Sequence, residues 1–342
     1  MSGAPATRPS RGRTVALQAL GGLVSLALLA WCVHTAWKGG SLERLRGLSA
    51  SDAWALAGLS LLSLTLNGSL FWVTLRPVKR LRWVDVLAVN AVATFLAYFP
   101  FKLSIVWRVL VHHRRDGLPV LTIGAWLMSN AAVVLAVLLP PGLAGLWRQR
   151  VDSVYIATSL GGIFVLLLAV HCVARGLGGE RGLGRLRRLL GQEGWRGRVA
   201  ASDRFVRLHN GLGMLAHAPT LASAAGLRLA DLMVQALRFV VAARAVGEVL
   251  PAHDAVLIAS VYFLIGVVSP SGAVGAREGG TTGLAKVLPG VNYAAFAGVA
   301  LAVSAAEVVV VVVCVVLALA WLRPWRLLSR PAAEGAGEPR IQ

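Results

Sequence analysis

Acid is what this sequence most lacks. Asp and Glu number 15 against 34 Lys and Arg, so the 342 residues carry a formal net charge of +19. Charge of either sign is scarce as well, at 14% of residues, against about 25% in a soluble domain. That excludes an ordinary water-soluble globular protein. Long polar segments are missing too: the longest, Arg175–His209, is too short to build a catalytic domain with its own core. The 3 cysteines, Cys32, Cys172 and Cys314, sit singly in apolar runs. They exclude a disulfide framework and read as small buried hydrophobes. No P-loop, no DxD pair in a polar loop, no GxSxG and no metal-ligand cluster is present, and no cofactor is expected.

What is there is apolar. Hydrophobic residues make up 57% of the chain, and the mean hydropathy is +0.70. Candidate membrane spans are Thr14–Trp37, Asp52–Leu75, Val84–Tyr98, Leu118–Trp147, Tyr155–Ala174, Pro219–Val246, Ala252–Val268 and Asn292–Leu322. Most of these runs reach the ~20 residues that cross a bilayer. The pattern predicts an all-α polytopic membrane protein. The first run follows Arg8, Arg11 and Arg13 and is long for a signal-peptide core, so it reads as an uncleaved helix.

Basic loops orient such a chain, because Lys and Arg near helix ends stay on the cytoplasmic side. The N-terminus, the cluster Arg76, Lys79, Arg80 and Arg82, the nine arginines of Arg175–Arg207, and Arg323, Arg326 and Arg330 are all expected inside, in the cytoplasmic (inner) membrane. Arg114 and Arg115 then conflict: they would fall outside if Val84–Tyr98 crossed fully. The conflict disappears if the chain turns back near Pro100, and parity then needs a second return near Ser269. The prediction is six full spans plus two re-entrant hairpins entering from opposite sides, both termini cytoplasmic. Eight ordinary spans are the alternative. Opposed hairpins are the mark of an inverted repeat. Each contains Tyr-Phe, a Pro and a later Arg: Tyr98-Phe99, Pro100 and Arg108; Tyr262-Phe263, Pro270 and Arg277. The expected divisions are a tail at 1–13, a membrane domain at 14–322 with a basic cytoplasmic linker at 175–209, and a polar, disordered tail at 323–342. "RLRRLL" within the linker fits a short interfacial helix.

The charges inside apolar runs are the candidate site. Pro100 supplies a mechanism for a helix break, and non-helical backbone at membrane depth must line a cavity or be buried in protein. Lys102 and Arg108 follow it. Either they face a lipid phosphate or Glu278 or Glu307, or they snorkel to the interface. "SPSGAVGAREGGTTG" holds five glycines with Pro270, Gly272, Gly275, Arg277 and Glu278, and suits close backbone approach to an anion at a helix N-terminus. The alternative is an ordinary extracellular loop. Arg228, Asp231, Gln235 and Arg238 share one helical face. Asp231 and Arg238 suggest a cavity lining or an ion pair, and Arg228 an interfacial residue. Glu307, among valines, requires a cation such as Arg108 or Arg277. Asn67, Asn90 and Asn130 suit hydrogen bonds between helices. His112 and His113 belong with the surface charge cluster.

Asn90, Pro100 and Arg108, then Pro270, Gly272, Gly275, Arg277 and Glu278, resemble the two signatures of the lysylphosphatidylglycerol synthase transmembrane-region family. It is also known as the flippase-like domain or UPF0104. The first signature is N…P-G-x-x-G-x-x-x-R and the second P-G-G-x-G-x-x-E. Phe101 and Ser104 stand where the first has glycines, and the second has one extra residue between Pro270 and Gly275. The chain ends without the soluble aminoacyl-transferase domain of bifunctional members. The resemblance implies a handler or translocase of anionic phospholipid or polyprenyl-phosphate-linked lipid. Lys102, Arg108, Pro270, Gly272, Gly275, Arg277 and Glu278 would be its substrate-binding residues, and Asn90, Asp231, Arg238 and Glu307 its cavity lining. Alternatives are a membrane-embedded transferase, or an accessory subunit, in polyprenyl-linked glycolipid synthesis. Expected partners are anionic lipids and lipid-biosynthesis enzymes. Despite the basic charge no nucleic-acid motif is present.

Overall fold

The computed structural model describes residues 11–99, 102–178, 182–185, 188, 202, 205, 213–268, 274–289 and 291–323. Every regular element among them is a helix. First come α1 (Arg11–Lys38), α2 (Ser41–Arg46), α3 (Ala50–Leu75), α4 (Trp83–Leu96), α5 (Leu103–Arg114), α6 (Val120–Arg148) and α7 (Ser153–Leu177). After the linker follow α8 (Gly213–Ala216), α9 (Ala218–Ala245), α10 (Ala252–Val268), α11 (Ala276–Ala285) and α12 (Tyr293–Leu322). Pro100, Phe101, Ser269, Pro270, Gly272, most of the linker with its "RLRRLL" segment, the first ten residues and the tail from 324 lie outside the described residues.

Length separates two kinds of helix. α1, α3, α6, α7 and α12 are long and apolar enough to cross a bilayer. α9 matches them with 28 residues but carries Arg228, Asp231, Arg238 and Arg244. At 1.5 Å per residue, α4 and α5 rise only about 21 and 18 Å, and α10 and α11 about 26 and 15 Å. None of these four reaches across the ~30 Å of hydrocarbon. They form two helical hairpins, α4–α5 and α10–α11, so the described residues hold six long helices and two broken ones.

Contacts at the two ends of the bundle fix the hairpins' directions. At one end Trp321 Nε1 donates to Asp85 Oδ1 at 2.8 Å, and Lys79 bonds the Asp116 carbonyl. At the other, Arg244 pairs with Asp52, and Arg44 donates to the Val246 carbonyl at 2.9 Å. The α4–α5 hairpin opens at the first end and α10–α11 at the second. The units α3–α6 and α9–α12 repeat one plan in opposite orientation: long helix, two half-helices, long helix. Packing follows the same rule. α3 lies along α9, α4 packs on α12 and α10 packs on α6, the arrangement of an inverted repeat.

Local chemistry sets the ends. Ser49, Asp152 and Asn292 cap α3, α7 and α12 by accepting from backbone N–H groups. Each hairpin's second half-helix starts from a left-handed residue, Lys102 at φ 50° and Gly275 at φ 80°. The main core is aromatic and aliphatic. Phe239 meets Tyr262 edge-on at 5.4 Å and stacks on Phe296 at 6.0 Å, joining α9, α10 and α12.

Candidate functional site

Glu307 stands halfway along α12, and both hairpin tips converge on it. From the first hairpin, Tyr98 donates its hydroxyl to Oε1 at 2.9 Å. From the second, Arg277 Nη1 donates to the same oxygen at 3.1 Å. From α10, the Tyr262 hydroxyl reaches Oε2 at 3.4 Å, and from α9, Arg238 Nη2 reaches it at 3.0 Å. A buried carboxylate with two guanidiniums and two phenols has the pairing that burial demands. The expected partner Arg277 is there. The other candidate, Arg108, is not, and Arg238 takes that place.

The polar face of α9 extends this centre into a chain of hydrogen bonds. Arg238 Nη1 donates to Gln235 Oε1 at 2.7 Å, and Gln235 Nε2 to Ser63 Oγ at 2.8 Å. Ser63 Oγ donates to Asp231 Oδ1 at 2.6 Å, and Asp231 Oδ2 accepts from Arg228 Nη1 at 2.6 Å. Two expectations are corrected here. Asp231 pairs with Arg228, three residues away, because Arg238 lies two turns along and is taken by Glu307. Arg228 is not interfacial: it is 1% exposed, with its guanidinium 3.3 Å from the Phe263 ring centroid.

Beside this network is a cavity of about 640 Å³. Four cations, Lys102, Arg108, Arg238 and Arg277, line it with one carboxylate, Glu307. Asn90 and Asp231 are one layer behind, holding Arg108 and Ser63. The rim contains Phe99, Ile105, Met128 and Val267, each more than 40% exposed. The hollow therefore opens sideways through an apolar mouth between the first hairpin's tip, α6 and the end of α10.

Arg108 differs from the other guanidiniums. It is 7% exposed, donates through Nη2 to Asn90 Oδ1 at 2.6 Å and lies 3.9 Å from the Phe71 ring centroid. Its Nη1 has no hydrogen-bond partner and no carboxylate pairs with it among the described residues. Lys102, exposed at the hairpin tip, has no ion pair among them either.

Glu278 pairs with neither Lys102 nor Arg108. It caps its own helix, accepting the Gly275 N–H at 2.6 Å, and takes a hydrogen bond from Ser304. Gly275 is fixed there by conformation and space together: a Cβ would fall 1.8 Å from the Ser25 carbonyl oxygen. His112 leaves the surface cluster in which it was expected. It is 1% exposed, 2.6 Å from Asp116 and edge-on to Trp126. In the sequence, Tyr98 and Tyr262 stand out only as members of matching Tyr-Phe pairs. Their shared acceptor, Glu307, is what the repeat encodes. Gly266 went unnoticed; Arg277 lies where its Cβ would be, 2.2 Å from Nε.

The family model for the lysylphosphatidylglycerol synthase TM region matches residues 18–315. No curated protein and no solved structure matches the chain. The match takes in both hairpins, the α9 stripe and Glu307, and the chain belongs to that family.

Proposed function

For a member of the lysylphosphatidylglycerol synthase transmembrane-region family, we propose that this chain carries anionic phospholipid or polyprenyl-phosphate-linked lipid across the cytoplasmic membrane. One observation supports this above the others: Arg108 is a buried cation on a cavity wall with a free N–H and no carboxylate beside it. Leaving a charge so placed is expensive. A lipid phosphate supplies the missing anion and accepts charge-assisted hydrogen bonds. About 640 Å³ is within the usual range for a small-molecule site. The apolar rim suits a headgroup held inside with its acyl chains remaining in the bilayer.

The tie at Glu307 gives the transfer a step. A phosphate entering from Arg108 reaches Arg277 on the same cavity wall and competes with Glu307 for it. As Arg277 turns to the phosphate, one of the links between the hairpin tips is released. The tips are then freer to part, and the cavity can open toward the other face. The same reading has both termini in the cytoplasm, and the distribution of charge supports it. The bundle end holding Arg76, Lys79, Arg80, Arg82, Arg114 and Arg115 is the more basic one.

The test is transbilayer movement of fluorescent phosphatidylglycerol in proteoliposomes, read by dithionite quenching. Arg108→Gln should abolish the protein-dependent phase while the variant stays folded. Unchanged movement in Arg108→Gln would remove the basis of the proposal. Loss that depends on a soluble donor, with a new lipid product, would favour the transferase.

A further inference from the structure

A second lipid-shaped feature lies on the outer surface and shares one lining residue, Leu64, with the cavity. Between α3, α4 and α12 runs an apolar groove of about 300 Å³, lined among others by Leu61, Leu64, Leu87, Ala91, Leu317 and Ala318. It extends along α4 from Ala91 to Val84 and along α12 from Cys314 to Trp321. Eight residues of helix give it a length of about 10 Å. At the Trp321 end it meets a hollow of about 330 Å³ lined by Arg82, Asp85, Arg115, Ala320, Trp321 and Arg323. Trp321 lines both.

The hollow is polar and positive. Its single carboxylate, Asp85, is already engaged: Oδ1 forms an ion pair with Arg115 Nη2 at 3.0 Å and accepts from Trp321 Nε1 at 2.8 Å. Arg82 lies 5.7 Å from the Trp321 ring centroid and Arg323 is exposed. Neither has an ion pair among the described residues. Two guanidiniums are thus left for an anion at the mouth of an apolar channel, and the indole between them is half exposed. Trp prefers that depth, with its ring apolar and its N–H wet.

We propose that this surface binds one anionic phospholipid, with an acyl chain along the α3–α4–α12 groove and the phosphate between Arg82 and Arg323. The charge balance, three guanidiniums against one carboxylate, selects an anionic headgroup over a zwitterionic one. Basic recesses at helix ends hold such headgroups, and the guanidinium fork fits phosphate oxygens in pairs. The groove supplies what a soluble phosphate would not use. This site is separate from Arg108 and Arg277, so it stands or falls apart from the transport reading.

Trp321 provides the measurement. Full-length protein is reconstituted in phosphatidylcholine vesicles with a few mole per cent of phosphatidylglycerol brominated in one acyl chain. The quenching lost in Trp321→Phe is assigned to the site. Selective quenching at low mole fraction is expected. Arg82→Gln/Arg323→Gln should need about 30-fold more lipid, at roughly a fivefold loss per guanidinium. Arg277→Gln should match the wild type. Equal quenching by brominated phosphatidylcholine, or no effect of the double substitution, would overturn the proposal. So would abolition of the quenching by millimolar glycerol phosphate, which would assign the arginines to a soluble anion.

Discussion

The two hairpins use one backbone device for two electrostatic purposes. Each breaks a helix at membrane depth and restarts it from a left-handed residue, Lys102 or Gly275. Each places a Tyr on Glu307. They part at the arginine. Arg277 of the second hairpin is paired with Glu307, whereas Arg108 of the first has an amide, a ring and open cavity. Inverted repeats let one fold element be spent twice. Here one copy holds the structure together, and the other is left able to take an anion.

The largest effect should come from removing what the hairpins share. Glu307→Ala strands Arg238 and Arg277 without a carboxylate, and breaking a buried pair from one side costs about 3–5 kcal/mol. Thermal unfolding in detergent should show this as a large fall in midpoint, with Glu307→Gln intermediate because its amide keeps one acceptor oxygen where the carboxylate offers two. A midpoint near wild type in Glu307→Ala would mean that the tips are held by packing alone.

Next, the arginines should separate by sign. Arg277→Leu removes a charge-assisted hydrogen bond, and stability should fall by about 2 kcal/mol. Arg108→Leu removes an unpaired buried cation, and stability should hold or rise by about 1 kcal/mol while lipid movement is lost. Matched destabilisation of both would show that Arg108 is held by a counter-charge.

The fold was largely legible in the sequence because membrane topology leaves few choices. Keeping Arg114 and Arg115 on the same side as the other basic loops called for a return near Pro100 and then another near Ser269, against the alternative of eight ordinary spans. The site was legible only in part. A carboxylate among valines must have a cation, so Glu307 could be matched to Arg277. Which cation a carboxylate chooses depends on helix rotation and crossing, which a linear pattern does not carry. Arg108 was therefore offered as a partner where Arg238 serves. The place of Glu278 was hidden for a related reason: beside Arg277 in sequence, it points back along its own helix to cap it. Gly266 gave no signal at all, because its role exists only once Arg277 lies across α10.

The smallest effect concerns the two left-handed restarts. Gly275 cannot take a side chain, since the Ser25 backbone fills the space. Lys102 is the reverse case, an ordinary residue where glycine is preferred. L-residues pay about 1–2 kcal/mol in that conformation, partly offset by the extra freedom that glycine loses on folding. Lys102→Gly should therefore stabilise the fold by about 0.5–1 kcal/mol. If its ammonium also helps to draw phosphate to the mouth, the same variant should carry lipid more slowly, although its backbone is better suited to the turn. Stability and transport measured on this one substitution separate strain from charge. A gain in stability with undiminished transport would confine anion recognition in the first hairpin to Arg108.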